Sequence, residues 1–326
     1  LKILLVRVSS LGDVLHNLPM VADILRRHPD AQIDWVVEEG YVSLVRLNPH
    51  VRKIIPFALR RWRRGLRDRA TRAELRAFFH DLREEEYDYV FDTQGLIKTG
   101  IIMACARVRP GGRKVGMANG TEGSGYEGLS RIFHNQSVKV ERRAHAVARG
   151  REVAAAALGY RVDSAPEFGL PPPVAAERPD WLPREDYAVF FHGTARDAKK
   201  WSRENWIATG HALAPMPVLL PWGSPAEKQE AEALAAALPN GVVLPRLSMN
   251  EAVSLARFAG LAIGVDTGLT HIAAAFVRPT VEIYCDSPRW KTEGNWSARI
   301  VNLGDTGSPP GAEAVIAAAR GLLACA

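Results

Sequence analysis

Short apolar runs alternate along the chain with longer stretches in which apolar positions recur every three or four residues. Residues 2–8 form a run of strand length, and after the turn Ser9-Ser10-Leu11-Gly12 the residues Leu15, Leu18, Val21, Ile24 and Leu25 share one helical face. Pro19 interrupts that face and predicts two helical pieces, the second with Asn17 as N-cap and Pro19 in its first turn, where a missing N–H costs little. Strand-length runs follow at 33–37, 53–57 and 89–91, with helical patterns over 72–86, 96–106 and 142–158. Between Tyr160 and Asp186 the periodicity stops and Pro166, Pro171, Pro172, Pro173, Pro179 and Pro183 accumulate, which predicts a linker over 161–186. The alternation then restarts, with strands at 187–191, 217–220, 242–244, 261–265 and 280–284 and helices over 203–213, 225–238, 249–258 and 268–276. Strands alternating with helices make parallel sheets with crossover connections. The pattern therefore predicts an α/β protein of two doubly wound domains, residues 1–160 and 187–310, closed by an Ala-rich amphipathic helix over 311–326.

Composition narrows the class. A 326-residue chain with 47% hydrophobic and 24% charged residues has enough apolar content for packed cores, which excludes disorder as the main state. The apolar stretches 252–265 and 272–285 contain Arg257, Arg278 and Glu282, short of the ~20 uninterrupted residues of a spanning helix. The opening run is cut by Lys2 and Arg7 and has no small-residue cleavage site after it, so a cytoplasmic protein is expected. Cys105, Cys285 and Cys325 lack disulfide or zinc spacing and read as buried thiols. Charge is uneven: residues 1–160 carry 27 Lys and Arg against 18 Asp and Glu, a net of +9, leaving 15 against 18, a net of −3, for residues 161–326. A basic half suits an acidic partner such as nucleic acid, phospholipid or a charged glycan, and the field alone does not choose among them.

In open parallel sheets ligands bind beyond the carboxyl ends of the strands, so polar residues just after strands are weighed first. Asp13, in Ser9-Ser10-Leu11-Gly12-Asp13, is either a general base or an ordinary first-turn acid against the helix dipole. Asp266-Thr267-Gly268-Leu269-Thr270-His271 opens a helix whose free amides suit a phosphate; the plainer reading is an Asp or Thr cap with His271 packed inside. His192-Gly193-Thr194 leads to Lys199, either a diphosphate ligand or part of a solvated loop. Residues 60–69 hold six arginines, no lysine and one acid, more than solubility requires, and guanidinium binds carboxylate or phosphate bidentately. Gly123, Gly125 and Gly128 match GxGxxG literally but lack the strand-turn-helix context, so they read as a loop. There is no Walker A loop, GxSxG elbow, HExxH or Asp-x-Asp pair.

Taken together, VSSLGDVLHNLP at 8–19, WVVEEG at 35–40, IPFALRRWRR at 55–64, DTQGLIK at 92–98, LPWGSPAE at 220–227 and VDTGLTHIAAA at 265–275 resemble the lipopolysaccharide heptosyltransferases, glycosyltransferase family 9, and among them the first-heptose type. The resemblance implies a GT-B fold, two Rossmann-like domains facing a central cleft. It implies inverting, metal-independent transfer of L-glycero-D-manno-heptose from ADP-heptose to the first Kdo of Kdo2-lipid A, with no cofactor. Asp13 matches the catalytic base. Ser10, Gly12, Arg60, Arg61, Arg63, Arg64, Gln94 and Lys98 match acceptor-binding positions. Thr194, Lys199, Glu227, Asp266, Thr267, Gly268 and His271 match donor-binding positions. Ala195 stands where the family has a second threonine, Leu247 where a methionine often lines the base pocket, and the glycine-rich 116–128 loop departs from the family form. Peripheral contact with the cytoplasmic face of the anionic inner membrane is expected, and no nucleic acid. The alternatives are second-heptose transfer, a nucleotide-sugar epimerase on the same architecture, which leaves the arginines unexplained, and a nucleic-acid binder, for which Trp62 alone makes no stacking platform.

Overall fold

The computed structural model describes residues 1–194 and 196–325, so Ala195 lies outside the described residues. The chain divides into two compact units, Leu1–Gly169 and Leu170–Ala326.

The first unit runs β1 (Lys2–Val6), α1 (Leu11–Arg27), β2 (Gln32–Glu38), α2 (Val42–Arg46), β3 (Val51–Phe57), α3 (Leu59–Trp62), α4 (Arg69–Arg83), β4 (Glu86–Asp92), α5 (Ile97–Cys105), β5 (Arg107–Met117), β6 (Gln136–Val138) and α6 (Ala146–Leu158). Among the described residues its strands form one parallel sheet in the order β3-β2-β1-β4-β5-β6. Ile3, Leu4, Leu5 and Val6 are fully buried, as befits a central strand covered on both faces. The two helical pieces expected around Pro19 are one continuous helix. Pro19 removes one ladder hydrogen bond, but Leu15, Leu18, Met20 and Val21 are all buried around it, and apolar burial of that size outweighs the lost bond. Asn17 caps nothing: it is buried against Gly150 of α6, where a β-carbon would lie 2.2 Å from its Oδ1.

Two strands escape the hydrophobic pattern of this unit. β5 is broken by Pro110, Gly111 and Gly112, and its register with β4 jumps between Tyr87–Val108 and Tyr89–Arg113, a bulge that accommodates the proline. β6 has only three residues.

The second unit runs β7 (Ala188–Phe191), α7 (Arg203–Leu213), β8 (Val218–Leu220), α8 (Pro225–Ala237), β9 (Gly241–Val243), α9 (Met249–Arg257), β10 (Leu261–Val265), α10 (Gly268–Ala275), β11 (Thr280–Tyr284), β12 (Ile300–Gly304) and α11 (Ala312–Ala324). Its sheet order, β9-β8-β7-β10-β11-β12, repeats that of the first unit. Strand order reverses between β1 and β4 in one unit and between β7 and β10 in the other, which opens a crevice at the carboxyl end of each pair. The loops leaving those four strands carry Ser9 to Asp13, Thr93 to Lys98, His192 to Lys199 and Asp266 to Gly268. The edge strand β12 was not expected, because its half-buried Ile-Val-Asn-Leu-Gly pairs on one side only. Of the three cysteines expected to be buried only Cys285 is; Cys105 is half-buried on a helix end and Cys325 is exposed in the helix cap.

Gly264 lets β10 and α10 meet: a β-carbon there would sit 2.1 Å from Thr270 Oγ1 and 2.8 Å from Phe191 Cβ. Thr270 is anchored to the Val265 carbonyl, so the overlap cannot relax cheaply. Gly264→Ala is expected to lower unfolding stability by about 1–3 kcal/mol, read as a falling denaturation midpoint with unchanged slope.

Candidate active site

In the first unit the chain leaves β1 through buried Arg7 and enters the turn before α1. Gln94, two residues beyond the end of β4, holds this turn. Its Oε1 accepts from the Val8 amide at 3.0 Å and its Nε2 donates to Ser9 Oγ at 3.2 Å. Gln94 is itself placed by Asp92, whose Oδ1 accepts from the Gln94 and Gly95 amides, both at 2.9 Å. Ser10 donates from its amide (3.2 Å) and hydroxyl (2.9 Å) to Asp13 Oδ2, so Asp13 is a helix-start acid and something more. Its other oxygen, Oδ1, lies 2.6 Å from Arg7 Nη2 and 3.1 Å from Arg149 Nη2 on α6.

Burial pushes the Asp13 carboxyl up, but Arg7, then Arg149 and the Ser10 bonds, reverse this and hold it well below the usual carboxylate range. Asp13 is therefore ionised at any physiological pH. Arg149 is pushed down by burial and by Arg7. Two buried guanidiniums against one carboxylate leave an excess positive charge beside Asp13, an electrostatic cost that an anionic ligand relieves. Sequence reasoning missed both arginines: Arg7 read as a cation cutting an apolar run and Arg149 as one position in a helical pattern. The available signal was an arginine continuing an otherwise buried strand toward a strand-end turn.

The arginine segment is anchored by Trp62, which is buried between Phe57 and Phe78 and donates from Nε1 to Glu74 Oε2 at 2.9 Å. Arg61 is engaged by Glu39 (2.8 Å) and Glu74 (2.7 Å). Arg60, Arg63 and Arg64 are exposed and make no ion pair among the described residues. Half-buried Lys98 donates to Ser9 Oγ at 3.3 Å; burial pulls its pKa down, Glu38 opposes this, and the nearby Arg60 and Arg63 add to it. Lys98 thus bonds to the turn that carries Asp13 and adds its charge to that of the neighbouring arginine segment, whereas Gly12 contributes backbone alone.

In the second unit, Lys199 Nζ lies 2.5 Å from Asp266 Oδ2, so the candidate diphosphate ligand already has a carboxylate partner. Asp266 Oδ1 faces His271 Nε2 at 3.0 Å and the Thr292 hydroxyl at 3.2 Å. His271 Nδ1 is 2.8 Å from Glu282 Oε1, and Glu282 Oε2 accepts from Tyr284 Oη (3.0 Å) and the Gly294 amide (2.8 Å). A neutral imidazole has one N–H and would turn a lone pair toward one of these carboxylates, so His271 is an imidazolium. Burial alone would lower its pKa, but Glu282 and Asp266 raise it to about 10. Burial likewise raises Asp266, and His271 and Lys199 then hold it far below the usual range. Glu282, inside an apolar strand run, was not singled out by the sequence.

Thr267 is the N-cap of α10 but its side chain makes no capping bond, which leaves the first amides of the helix available. Glu227 closes a capping box on α8, accepting from the Gly223 (2.7 Å) and Ser224 (3.0 Å) amides, and stands behind Gly193. A cavity of about 190 Å³ joins these parts, lined by Gly193, Glu227, Thr267 and the apolar Pro221, Leu247 and Met249. Met249 thus lines the wall two residues beyond Leu247. Thr194 borders an adjoining recess with Gly193 and Glu227. Among the described residues no group of three or more His, Cys, Asp or Glu side chains is arranged to hold a metal.

With two Rossmann-like units and charged groups at both switch points, the structure has the makings of a nucleotide-sugar transferase. A family model, glycosyltransferase family 9 (heptosyltransferase), matches residues 75–316, and the chain belongs to this family. It is 38% identical over 287 residues to lipopolysaccharide heptosyltransferase 1 of Pseudomonas aeruginosa, covering 87% of this chain and 78% of the relative. To the Escherichia coli K12 enzyme of the same name it is 37% identical over 288 residues, 87% of this chain and 88% of the relative. A solved structure of E. coli heptosyltransferase WaaC with ADP, 32% identical, superposes with a TM-score of 0.84 over 99% of this chain and 100% of that one. The fold is GT-B and the protein is a glycosyltransferase.

Charging His271 stabilises the folded state fully below about pH 6.5, and that contribution declines as pH climbs toward 10. Glu282→Gln keeps the shape but removes one of the two anions, so His271 should lose its proton nearer neutrality and the decline, which still begins near pH 6.5, should end earlier. Imidazole ¹⁵N shifts followed against pH read this directly. An imidazolium persisting unchanged to pH 9 in the variant would overturn the assignment.

Proposed function

We propose that this chain moves L-glycero-D-manno-heptose from ADP-L-glycero-D-manno-heptose to the first Kdo of Kdo2-lipid A, in lipopolysaccharide inner-core synthesis, by an inverting single displacement. The observation that carries the reading is the Asp13 carboxylate at the β1/β4 switch point, kept ionised by two buried arginines beside a face of unpaired cations. Relatives 35–38% identical are named lipopolysaccharide heptosyltransferase 1, which supports reading this chain as acting at the first-heptose step rather than the second.

Asp13 accepts the proton of a Kdo hydroxyl as its oxygen attacks the anomeric carbon from the face opposite ADP; the new C–O bond forms as the bond to phosphate breaks. A carboxylate held so acidic is a weak base in the free protein. The acceptor's own carboxylate, drawn to the excess charge of Arg7 and Arg149, shares those guanidiniums and raises the basicity of Asp13 when it is needed. Arg60, Arg63, Arg64 and Lys98 bind the remaining acidic groups, Arg61 joining them from its ion pairs, while Ser10, Gly12 and Gln94 fix the turn.

The departing ADP is stabilised by Lys199 and the free amides opening α10, so no cofactor and no metal is needed. His271 offsets the charge of Asp266, which frees Lys199 for the diphosphate. Thr194, Glu227, Thr267 and Gly268 line the donor side, with the adenine in the cavity beside Leu247 and Met249. WaaC has been solved with ADP and with ADP-2-deoxy-2-fluoro heptose, which supports this donor. The reaction takes place at the cytoplasmic face of the inner membrane, where the protein is held peripherally. No helix among the described residues is long and apolar enough to cross a membrane.

The test is ADP release from ADP-heptose with Kdo2-lipid A, compared with its heptosylated product and repeated in chelator. Only the first acceptor should support turnover, and chelator should leave it unchanged.

Asp13→Asn should leave ADP-heptose affinity nearly intact and lower kcat by roughly 10²- to 10⁴-fold. Lys199→Ala should weaken both ADP binding and turnover, since its charge serves the bound and the transition state alike. Near-full turnover in Asp13→Asn would return Asp13 to a purely helix-capping role.

Changing Arg63 and Arg64 together to Ala should raise the acceptor KM and flatten its salt dependence, with donor affinity unmoved. A matching loss of ADP affinity would refute the acceptor assignment.

A further inference from the structure

The first unit carries an apolar surface that neither its core nor the chemistry above uses. Ile97 and Ile101 are one turn apart on α5 and are 37% and 47% exposed. Leu129 and Ile132, three apart on the 3₁₀ turn Gly128–Phe133, are 66% and 74% exposed. Side chains at that spacing eclipse one another on a 3₁₀ helix, so the pair projects together.

The two elements are fixed side by side. Glu127 accepts from the Ile97 amide at 2.6 Å and donates its own amide to the Gly95 carbonyl at 2.9 Å. Phe133 packs over Gly100, where a β-carbon would lie 2.2 Å from the ring. A rigid support with four large aliphatic side chains turned to solvent points to something that covers them.

Cations border the patch and outnumber the exposed Glu127 carboxylate beside Ile97. Arg131 is exposed within the 3₁₀ turn, and Lys98 follows Ile97 within electrostatic reach of Arg60 and Arg63. Aliphatic side chains rimmed by Lys and Arg match the interface of an anionic bilayer, acyl chains beneath a layer of negative headgroups. A soluble protein partner would have to bury the cations as well, whereas a bilayer leaves them in its headgroup layer.

We infer that Ile97, Ile101, Leu129 and Ile132 form the surface by which this protein seats on an anionic lipid bilayer, with Lys98, Arg60, Arg63 and Arg131 in the headgroup layer. This rests on the lipid-linked acceptor proposed above and specifies where the membrane is met. The patch begins at Lys98, which bonds to the Ser9 turn, so a bilayer seated on it presents headgroup-level sugars to the Asp13 end of the sheet.

The experiment compares the full-length protein with a triple variant, Ile101→Gln, Leu129→Ser and Ile132→Ser, in co-sedimentation with phosphatidylcholine vesicles with and without phosphatidylglycerol. The native protein should bind the anionic vesicles and retain part of that binding at high salt. The variant should bind at least roughly tenfold more weakly and lose binding at high salt entirely. Turnover should fall with Kdo2-lipid A in vesicles but not with a water-soluble, deacylated acceptor, and the melting temperature should hold. Unchanged vesicle binding in the variant overturns the inference, as does a native dimer that the variant breaks, which would make the patch a self-association face. Equal loss of turnover on the soluble acceptor also overturns it, by placing the patch in the sugar site. If the native protein binds vesicles through the patch yet transfers no heptose to either acceptor, the functional reading fails and the surface stands.

Discussion

A parallel sheet covered on both faces accepts charge along its strands only where a partner meets it, as His271 meets Glu282 on β11 and Arg52 meets Asp34 on β2, and that constraint determines where this protein keeps its chemistry. Ile3 to Val6 and Leu261 to Val265 are buried throughout, so each chain segment meets a polar environment only where it leaves the sheet. The crevice between diverging crossovers is the one place where such exits adjoin, and both units use it. Asp13 and Gln94 stand at the first exit pair, Thr194 and Asp266 at the second.

The two crevices solve the problem of buried charge differently. In the second unit Lys199, Asp266, His271 and Glu282 alternate in sign, so the chain is neutral and each group has a partner. Such a network is stiff, because removing one member strands a buried charge at a cost of several kcal/mol. It fits the proposed donor site, in which α10 is to be held still beneath a diphosphate. In the first unit two buried arginines face one carboxylate and further unpaired arginines stand outside, so the balance is left positive.

Much of this was legible in the sequence. Short apolar runs and period-3.6 patterns give the central strands and most helices, because those residues are buried by their own unit's sheet. The same logic fails where burial is one-sided: β5, with Pro110 and Gly111 in a bulge, and β12, paired on one edge. It also failed at Pro19, where tertiary burial overrides a local breaker. Site residues on strand-end turns, Asp13 and Asp266 among them, could be seen because polar side chains there interrupt an apolar pattern. Arg149 and Glu282 could not, since their roles come from partners 136 and 11 residues away in sequence. The arginine run was visible as charge, but which of its members are free was not. That depends on Trp62 burying itself and on Glu39 and Glu74 engaging Arg61 alone.

Under the role proposed for Asp13, the unbalanced charge of the first unit follows from the base itself. An ionised carboxylate repels an anionic acceptor, by about 4 kcal/mol for a second carboxylate 4 Å away at an effective dielectric constant of 20. A single arginine paired with Asp13 would only cancel that repulsion. Two, set on the same oxygen, convert it into attraction while leaving Oδ2 to the Ser10 bonds, and they do so from buried positions where rotamer freedom is already lost. The penalty is a base made more acidic than its task calls for. That penalty is lifted only by a ligand carrying negative charge of its own, so on this proposal the arginine pair is a filter for acidic acceptors as well as a support for the base.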